Sequence, residues 1–95
     1  MIYKLTFLES AKKEWDKLAP SIRNDFKKKL LERLKNPIIP KDKLSGFKDT
    51  YKIKLRTVGY RLVYRVFEDR LTVQVVATGK RDKNLVYNVT KYRIE

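Results

Sequence analysis

Basic side chains alternate with apolar ones along residues 51–65, and their types suit chemistry on an anion. The run is YKIKLRTVGYRLVYR. Because side chains on a strand alternate between two faces, one face of these strands is apolar and the other is basic. The basic face carries Lys52, Lys54, Arg56, Arg61 and Arg65. Like charges held side by side repel one another, so this face predicts an anionic partner.

The whole chain shares this excess of positive charge. Its 95 residues include 24 Lys and Arg against 11 Asp and Glu, which gives a net charge of +13. Such an excess is typical of proteins that bind nucleic acid. An anionic membrane is a weaker alternative, because the basic residues are not confined to one amphipathic helix. An acidic protein partner and a merely soluble basic surface are the two other interpretations.

The residue types that the sequence lacks narrow the chemistry further. It contains no histidine and no cysteine, which excludes His-based triads, the usual ribonuclease acid–base pair, disulfides and Cys/His zinc sites. The acidic residues are dispersed and match no two-metal nuclease cluster, so we expect no metal and no other cofactor. Lys, Arg and Tyr can still bind phosphate, stack on bases and stabilise a phosphorane. A crowded lysine also loses its proton more easily, which suits it to act as a base.

The elements that must position these side chains follow from the hydrophobic periodicity. Alternation predicts a strand at residues 2–7, and helical spacing predicts helices at 9–19 and 20–36, followed by a loop rich in proline. Two strands then flank the turn TVG, and a third spans residues 71–79. The tail is a weakly capped helix with a predicted apolar stripe of Leu85, Val89 and Tyr92.

The order βααβββα predicts a single α+β domain over residues 1–95. We expect a small antiparallel sheet, covered on one face by the two N-terminal helices, with a short C-terminal helix added. The apolar strand side chains then face Trp15, Phe26 and Leu30, and the basic ones point away from these helices. No segment approaches 18 apolar residues and the start resembles no signal peptide, so we expect a soluble cytoplasmic protein without a membrane partner.

Several motifs at fixed separations resemble those of one protein family. They are ESAKKEWDKL, KDKLSG, YKIKLRTVGYRLVYRV and VATGKRDKNLVY. Together they span essentially the whole chain and resemble the RelE family of bacterial type II toxin–antitoxin systems. The resemblance implies a microbial-ribonuclease-like fold and a ribosome-dependent endoribonuclease, which inhibits translation by cleaving mRNA in the aminoacyl site. It also implies three partners, namely a RelB-like antitoxin, the mRNA and the 16S rRNA of the small ribosomal subunit.

The resemblance assigns the catalytic roles to five residues: Lys52, Lys54, Arg61, Arg81 and Tyr87. In the family, a 2′-hydroxyl attacks the adjacent phosphate and leaves a 2′,3′-cyclic phosphate and a 5′-hydroxyl. Tyr87 resembles the residue that stacks on the mRNA base, and Arg81 resembles the candidate general acid. Lys54 resembles a residue assigned as base or as phosphate stabiliser, while Lys52 and Arg61 resemble charge stabilisers. Ser45 departs from the best-known member, which has a further arginine in this loop.

Five other cations are expected to contact RNA or the ribosome: Lys27, Lys28, Lys29, Arg56 and Lys80. Plainer interpretations stay open, since the lysines could be solvated, the arginines paired with carboxylates, and Tyr87 packed in the core. Two other functions also stay open. One is a non-catalytic RNA- or ribosome-binding domain, and the other is a ParE-like toxin that inhibits DNA gyrase. The missing histidine disfavours the similar YoeB-like branch, which relies on glutamate and histidine.

Overall fold

Four strands and three helices make up the computed structural model, which describes residues 2–82 and 85–94. Residues 1, 83, 84 and 95, which the predicted domain includes, lie outside the described residues. The strands form one sheet in the order β1-β4-β3-β2. The elements in chain order are β1 (Lys4–Phe7), α1 (Glu9–Asp16), α2 (Pro20–Lys35), β2 (Thr50–Leu55), β3 (Tyr60–Phe67), β4 (Thr72–Lys80) and α3 (Leu85–Ile94).

The sheet is mixed and not wholly antiparallel. β2 with β3 and β3 with β4 are antiparallel, as predicted, but β1 lies parallel to β4, with Lys4 opposite Thr72. A parallel pair needs a long crossover, which α1, α2, β2 and β3 together provide. The α+β class and the order of elements are therefore confirmed, and the expected antiparallel pairing is wrong for β1.

The two N-terminal helices cover one face of the sheet. The stripe of α2 predicted from its four-residue spacing, which consists of Ile22, Phe26, Leu30 and Leu34, is buried. It packs in one cluster with the apolar side chains of β2 and β3. α1 ends at Asp16, earlier than predicted, because α2 begins at Pro20 and the residue before a proline is disfavoured in a helix. Among the described residues, no helix is long and apolar enough to cross a membrane.

The opposite face of the sheet holds a second, smaller apolar cluster. A register shift between β3 and β4 leaves Val76 without a Cα partner, since Val63 lies opposite Ala77 and Tyr64 lies opposite Val75. This β-bulge lets β4 bury residues of both faces, and Val63, Val76 and Ala77 join the second cluster. α3 covers this cluster, so this helix lies on the same face of the sheet as the basic side chains.

The helix α3 buries a different stripe from the predicted one. Val86 and Thr90 are buried, whereas Leu85 is 55% exposed and Tyr92 is 89% exposed. Val86 packs against the backbone of Gly79, where an added Cβ would lie 3.5 Å from its methyl group. The predicted stripe is therefore wrong for these two exposed residues, whereas its middle residue, Val89, is partly buried against the second cluster. Helical spacing cannot say which side of a short helix will meet the sheet.

A polar network fastens the loop after α2 to the centre of the sheet. The buried Tyr64 donates a hydrogen bond to the Pro37 carbonyl at 2.6 Å and accepts one from Arg33 at 2.9 Å. Arg33 also pairs with Asp42 at 2.6 Å. Burial is the main cause that raises the pKa of Tyr64 to about 12, so its hydroxyl stays protonated and keeps its donor role at neutral pH.

Neighbouring leucines of α2 give a matched test of this core. Leu30 is fully buried, and Leu31 is 53% exposed. Leu30→Ala should lower the free energy of unfolding by about 2–5 kcal/mol, because the deletion leaves a cavity among packed side chains. Leu31→Ala should change it by less than about 0.5 kcal/mol. Urea unfolding followed by circular dichroism measures both, and equal losses would contradict the orientation of α2.

Candidate active site on the basic face of the sheet

The pairing of β2 with β3 sets the spacing of the central cations. Lys54 lies opposite Arg61, and Lys52 lies opposite Val63. Directly opposed side chains on one face have Cβ atoms about 4.5–5.5 Å apart, so the charges of Lys54 and Arg61 are neighbours. The remaining faces of these strands carry Ile53, Leu55 and Leu62, which are buried in the main core. The apolar contacts thus hold the cations in place despite their repulsion.

The turn between β2 and β3 brings Arg81 to this face. Gly59 has a φ of +70°, a conformation that glycine adopts without strain. Its carbonyl accepts a hydrogen bond from the Arg81 backbone N–H at 2.9 Å, and an added Cβ would lie 3.4 Å from Arg81 Nε. The open space at Gly59 therefore lets the side chain of Arg81 lie against the turn.

A cavity of about 150 Å³ lies between these side chains. Four cations line it: Lys54, Arg56, Arg61 and Arg81. Within the described part of the chain, neither Arg61 nor Arg81 forms an ion pair with a carboxylate, so the plainer interpretation of these arginines is not observed. A small concave site with several unneutralised donors is suited to a phosphate group.

The helix α3 places Tyr87 against Arg61, one of the residues that line this cavity. The guanidinium carbon of Arg61 lies 5.2 Å from the centre of the Tyr87 ring, within the range of a cation–π interaction. The Tyr87 hydroxyl is buried and has no hydrogen-bond partner among the described residues. A buried hydroxyl without a partner is costly, so this arrangement of α3 leaves the hydrogen-bonding capacity of Tyr87 unused.

The crowding of cations changes the protonation of Lys54. Its pKa is lowered chiefly by the charge of Lys52, and then by partial burial and by Arg61 and Arg56. Asp42 acts in the opposite direction. The neutral amine is therefore more abundant at a given pH than in a free lysine, which agrees with the expectation that crowding prepares a base.

Two wider grooves continue the basic surface beyond the cavity. Lys52 borders a groove of about 590 Å³ together with Lys29, Arg33 and Lys41. Lys28 and Lys29 border another of about 540 Å³. Lys54 and Arg56 line both grooves as well as the small cavity, so the three spaces are adjacent.

Two of the predicted RNA contacts lie away from these spaces. Lys27 is exposed on α2 but lines none of them. Lys80 lines a separate, largely apolar cavity of about 380 Å³ with Glu14 and Val86. Ser45 is exposed in the loop before β2. Of the described residues, no group of three or more Cys, Asp or Glu side chains is placed to hold a metal ion.

Sequence reasoning missed an ion pair that fastens α3 beside the site. Arg93 of α3 binds Glu14 of α1 through two hydrogen bonds of 2.8 and 3.1 Å. These residues lie at opposite ends of the sequence, and no periodic pattern joins two positions on different helices. Arg33 was missed in the same way, although it also supports β2 by a hydrogen bond to the Lys52 carbonyl.

Known proteins are similar to this chain over nearly its whole length. A family model described as the ParE toxin of type II toxin–antitoxin systems, parDE, matches residues 5–85. Over 94 residues, which are 99% of either chain, the sequence is 49% identical to the mRNA interferase toxin RelE of Escherichia coli K12. It is 50% identical over the same share to another RelE-like toxin protein of Escherichia coli. This chain belongs to the RelE family of toxins.

Solved structures of RelE toxins have the same fold. A double arginine-to-alanine mutant of Escherichia coli RelE in the free state matches with a TM-score of 0.92 at 47% identity, and each chain is covered completely. The toxin in the intact Escherichia coli RelBE toxin–antitoxin complex matches with a TM-score of 0.82 at 49% identity. That match covers 85% of this chain and 99% of the other.

The shifted protonation of Lys54 can be tested directly. In Lys52→Ala, the pKa of Lys54 should rise, because the largest cause of its lowering has been removed. Titration of the side-chain ammonium of Lys54 by NMR measures this change. Lys12→Ala removes a cation on α1 that does not contribute to the shift, and it should leave the Lys54 titration in place. The hypothesis is wrong if both variants give the wild-type pKa.

Proposed function

We propose that this toxin is a ribosome-dependent endoribonuclease, which cleaves mRNA in the aminoacyl site of the small ribosomal subunit. The observation that carries the proposal is the cavity lined by Lys54, Arg56, Arg61 and Arg81, with Tyr87 beside it on Arg61. The relatives at about half identity are named mRNA interferases, which supports RNA as the substrate. In this histidine-free chain, the cleavage must rely on Lys, Arg and Tyr.

The proposed reaction places the scissile phosphate in the cavity. The 2′-oxygen of the preceding nucleotide attacks phosphorus as Lys54, in its neutral form, takes the hydroxyl proton. The P–O bond to the 5′-oxygen then breaks, and that oxygen receives a proton from Arg81, which acts as the general acid. The products are a 2′,3′-cyclic phosphate and a 5′-hydroxyl. No metal or other cofactor takes part in these steps.

Charge stabilisation is the main contribution of the basic face. The phosphorane formed by the attack carries more negative charge than the ground-state phosphodiester. Fixed cations therefore bind it more strongly than they bind the substrate, and this difference accelerates the reaction. We assign this role to Arg61 and Lys52. Tyr87 stacks on the neighbouring base, and its unpartnered hydroxyl is free to bond to the ribose once α3 adjusts.

The partner that restrains this activity is a RelB-like antitoxin. The relatives include a RelE toxin solved with RelB, and the net charge of +13 favours an acidic or amphipathic binding segment that folds on the toxin. Because the ribosome and the antitoxin would meet the toxin in the cytoplasm, we propose that it acts there. Gyrase inhibition is the competing function, because the matching family model is named for ParE.

A toeprint assay on translated mRNA tests the function. We expect cuts within the codon of the aminoacyl site, and their loss when the antitoxin is added. Arg61→Ala and Arg81→Ala should lower the single-turnover rate on saturated ribosomes by about 10²- to 10³-fold, because each removes a group that contacts the developing charge. Ribosome binding should weaken far less than the rate falls.

Two controls make the result decisive. Arg70→Ala removes a cation that stacks on Phe67, away from the cavity, and should cleave like the wild type. The melting temperature of every variant is measured beside its rate, so that unfolding is not mistaken for lost chemistry. Intact mRNA together with gyrase poisoning would select the ParE-like function. Wild-type rates in both arginine variants at saturation would show that the basic face only holds RNA.

The grooves beside the cavity predict which lysines of α2 hold the ribosome. Lys28 and Lys29 line them and Lys27 does not, so charge reversal should separate the three positions. Lys28→Glu with Lys29→Glu should weaken ribosome binding and flatten its salt dependence, since each lost phosphate contact removes about 0.7–0.9 from the slope of log affinity against log salt. Lys27→Glu is the matched control. Equal slopes for both proteins would show that this groove faces only solvent.

A further inference from the structure

The ion pair between α1 and α3 lies at the part of β4 that β1 does not cover. β1 pairs with β4 only as far as Val75, so the following residues of β4 have no strand on that side. The bulge residue Val76 directs its carbonyl to Arg93, at 2.8 Å. Glu14 accepts a hydrogen bond from the Thr78 N–H at 3.3 Å. One ion pair thus satisfies both a free carbonyl and a free N–H on the open edge of β4.

The same pair is the main polar attachment of α3. The side chains of Arg93 and Glu14 are 19% and 33% exposed, and their double hydrogen bond has the geometry that makes Arg–carboxylate pairs strong. α3 also buries the Thr90 hydroxyl, which bonds within its own helix to the Val86 carbonyl, and the Tyr87 hydroxyl, which has no partner among the described residues. A helix of 10 residues is marginal by itself, so α3 depends on what it touches.

Apolar contacts hold α3 along its whole length. Val86 packs on Gly79 in the first turn, and Val89 and Ile94 are partly buried against the second apolar cluster. Apolar packing is not directional, so these contacts attach the helix to the sheet without fixing its rotation about its own axis.

The directional contacts come from Arg93, which follows Tyr87 by almost two turns, about 9 Å along the helix axis. Its hydrogen bonds to Glu14 and to the Val76 carbonyl fix the rotation of the helix. The ring of Tyr87 over Arg61 is thereby fixed as well.

We propose that Glu14 and Arg93 are positioning residues for cleavage, because their ion pair on the edge of β4 fixes α3 and thereby holds Tyr87 against Arg61, which lines the phosphate cavity. Neither side chain lines that cavity, so the pair acts through the helix and not by touching RNA. This inference rests on the proposed endoribonuclease function for its effect on rate. Its structural part, the fixing of α3, is independent of that function.

The test compares Arg93→Ala with Lys12→Ala in the full-length toxin on programmed ribosomes. Lys12 also pairs with a carboxylate of α1, Asp16 at 2.7 Å, but on the exposed side, so its variant loses the same charge and a comparable contact. Arg93→Ala should lower the saturated single-turnover rate by about 10- to 100-fold, as expected for a misplaced group. It should also speed amide hydrogen exchange in residues 85–94 while leaving the sheet protected. Lys12→Ala should change neither quantity.

The other partner of the pair separates positioning from direct contact with RNA. Glu14→Ala, which removes the carboxylate on α1 and keeps Arg93, should lower the rate and the α3 protection as Arg93→Ala does. Arg93→Lys should retain more of both than Arg93→Ala, since it keeps the charge but not the forked geometry. If Arg93→Ala lowers melting too far for the assay, Glu14→Gln, which keeps an acceptor for Thr78, takes its place.

The possible failures are distinct. Wild-type rate and exchange in Arg93→Ala would overturn the inference. A lost rate with full α3 protection in Arg93→Ala, together with a wild-type rate in Glu14→Ala, would also overturn it, because Arg93 would then act on RNA itself. If the wild type cleaves nothing, the proposed function fails, but faster exchange confined to α3 in Arg93→Ala still supports the attachment.

Discussion

Repulsion among neighbouring cations is the constraint on which the rest of this structure depends. Lys54 and Arg61 lie opposite each other on paired strands, and Lys52 is near enough to lower the pKa of Lys54. Such a face is stable only because the other side of the same strands packs on α1 and α2. The free energy gained by apolar burial offsets the repulsion among the cations. A bound phosphate would relieve that repulsion, so the repulsion favours phosphate binding.

The supporting elements each limit how far these charges can relax. Arg33, held by Asp42 and Tyr64, fastens the outer strand β2 through the Lys52 carbonyl. Gly59 has no Cβ, so the side chain of Arg81 can lie against the turn. The toxin therefore presents a preorganised charge distribution, which is the condition under which electrostatics lowers a reaction barrier instead of merely strengthening binding.

The strong periodicity of the sequence made most of the helices and strands predictable. The pairing of the first strand and the orientation of the last helix were not predictable. The four-residue stripe of α2 and the alternation in β2 and β3 determined those elements and the side on which Lys52, Lys54 and Arg61 would lie. The parallel pairing of β1, the extra residue Val76 and the buried side of α3 depend on contacts between distant parts of the chain, which leave no local pattern. The approach of Tyr87 to Arg61 came from the resemblance alone, since neither spacing nor composition joins Tyr87 to the strands.

The parallel pairing of the first strand also has a consequence for synthesis. Lys4 of β1 pairs opposite Thr72, so β1 has no partner until nearly the whole sheet has been translated. Arg81 and Tyr87 come later still, and α3 needs β4 beneath it. Because domains made from such distant contacts complete late, a growing chain of this toxin has no assembled cavity. Until β4 and α3 have been made, the growing chain lacks Arg81 and Tyr87 and therefore cannot assemble the proposed cleavage site on any ribosome, including the one that is making it.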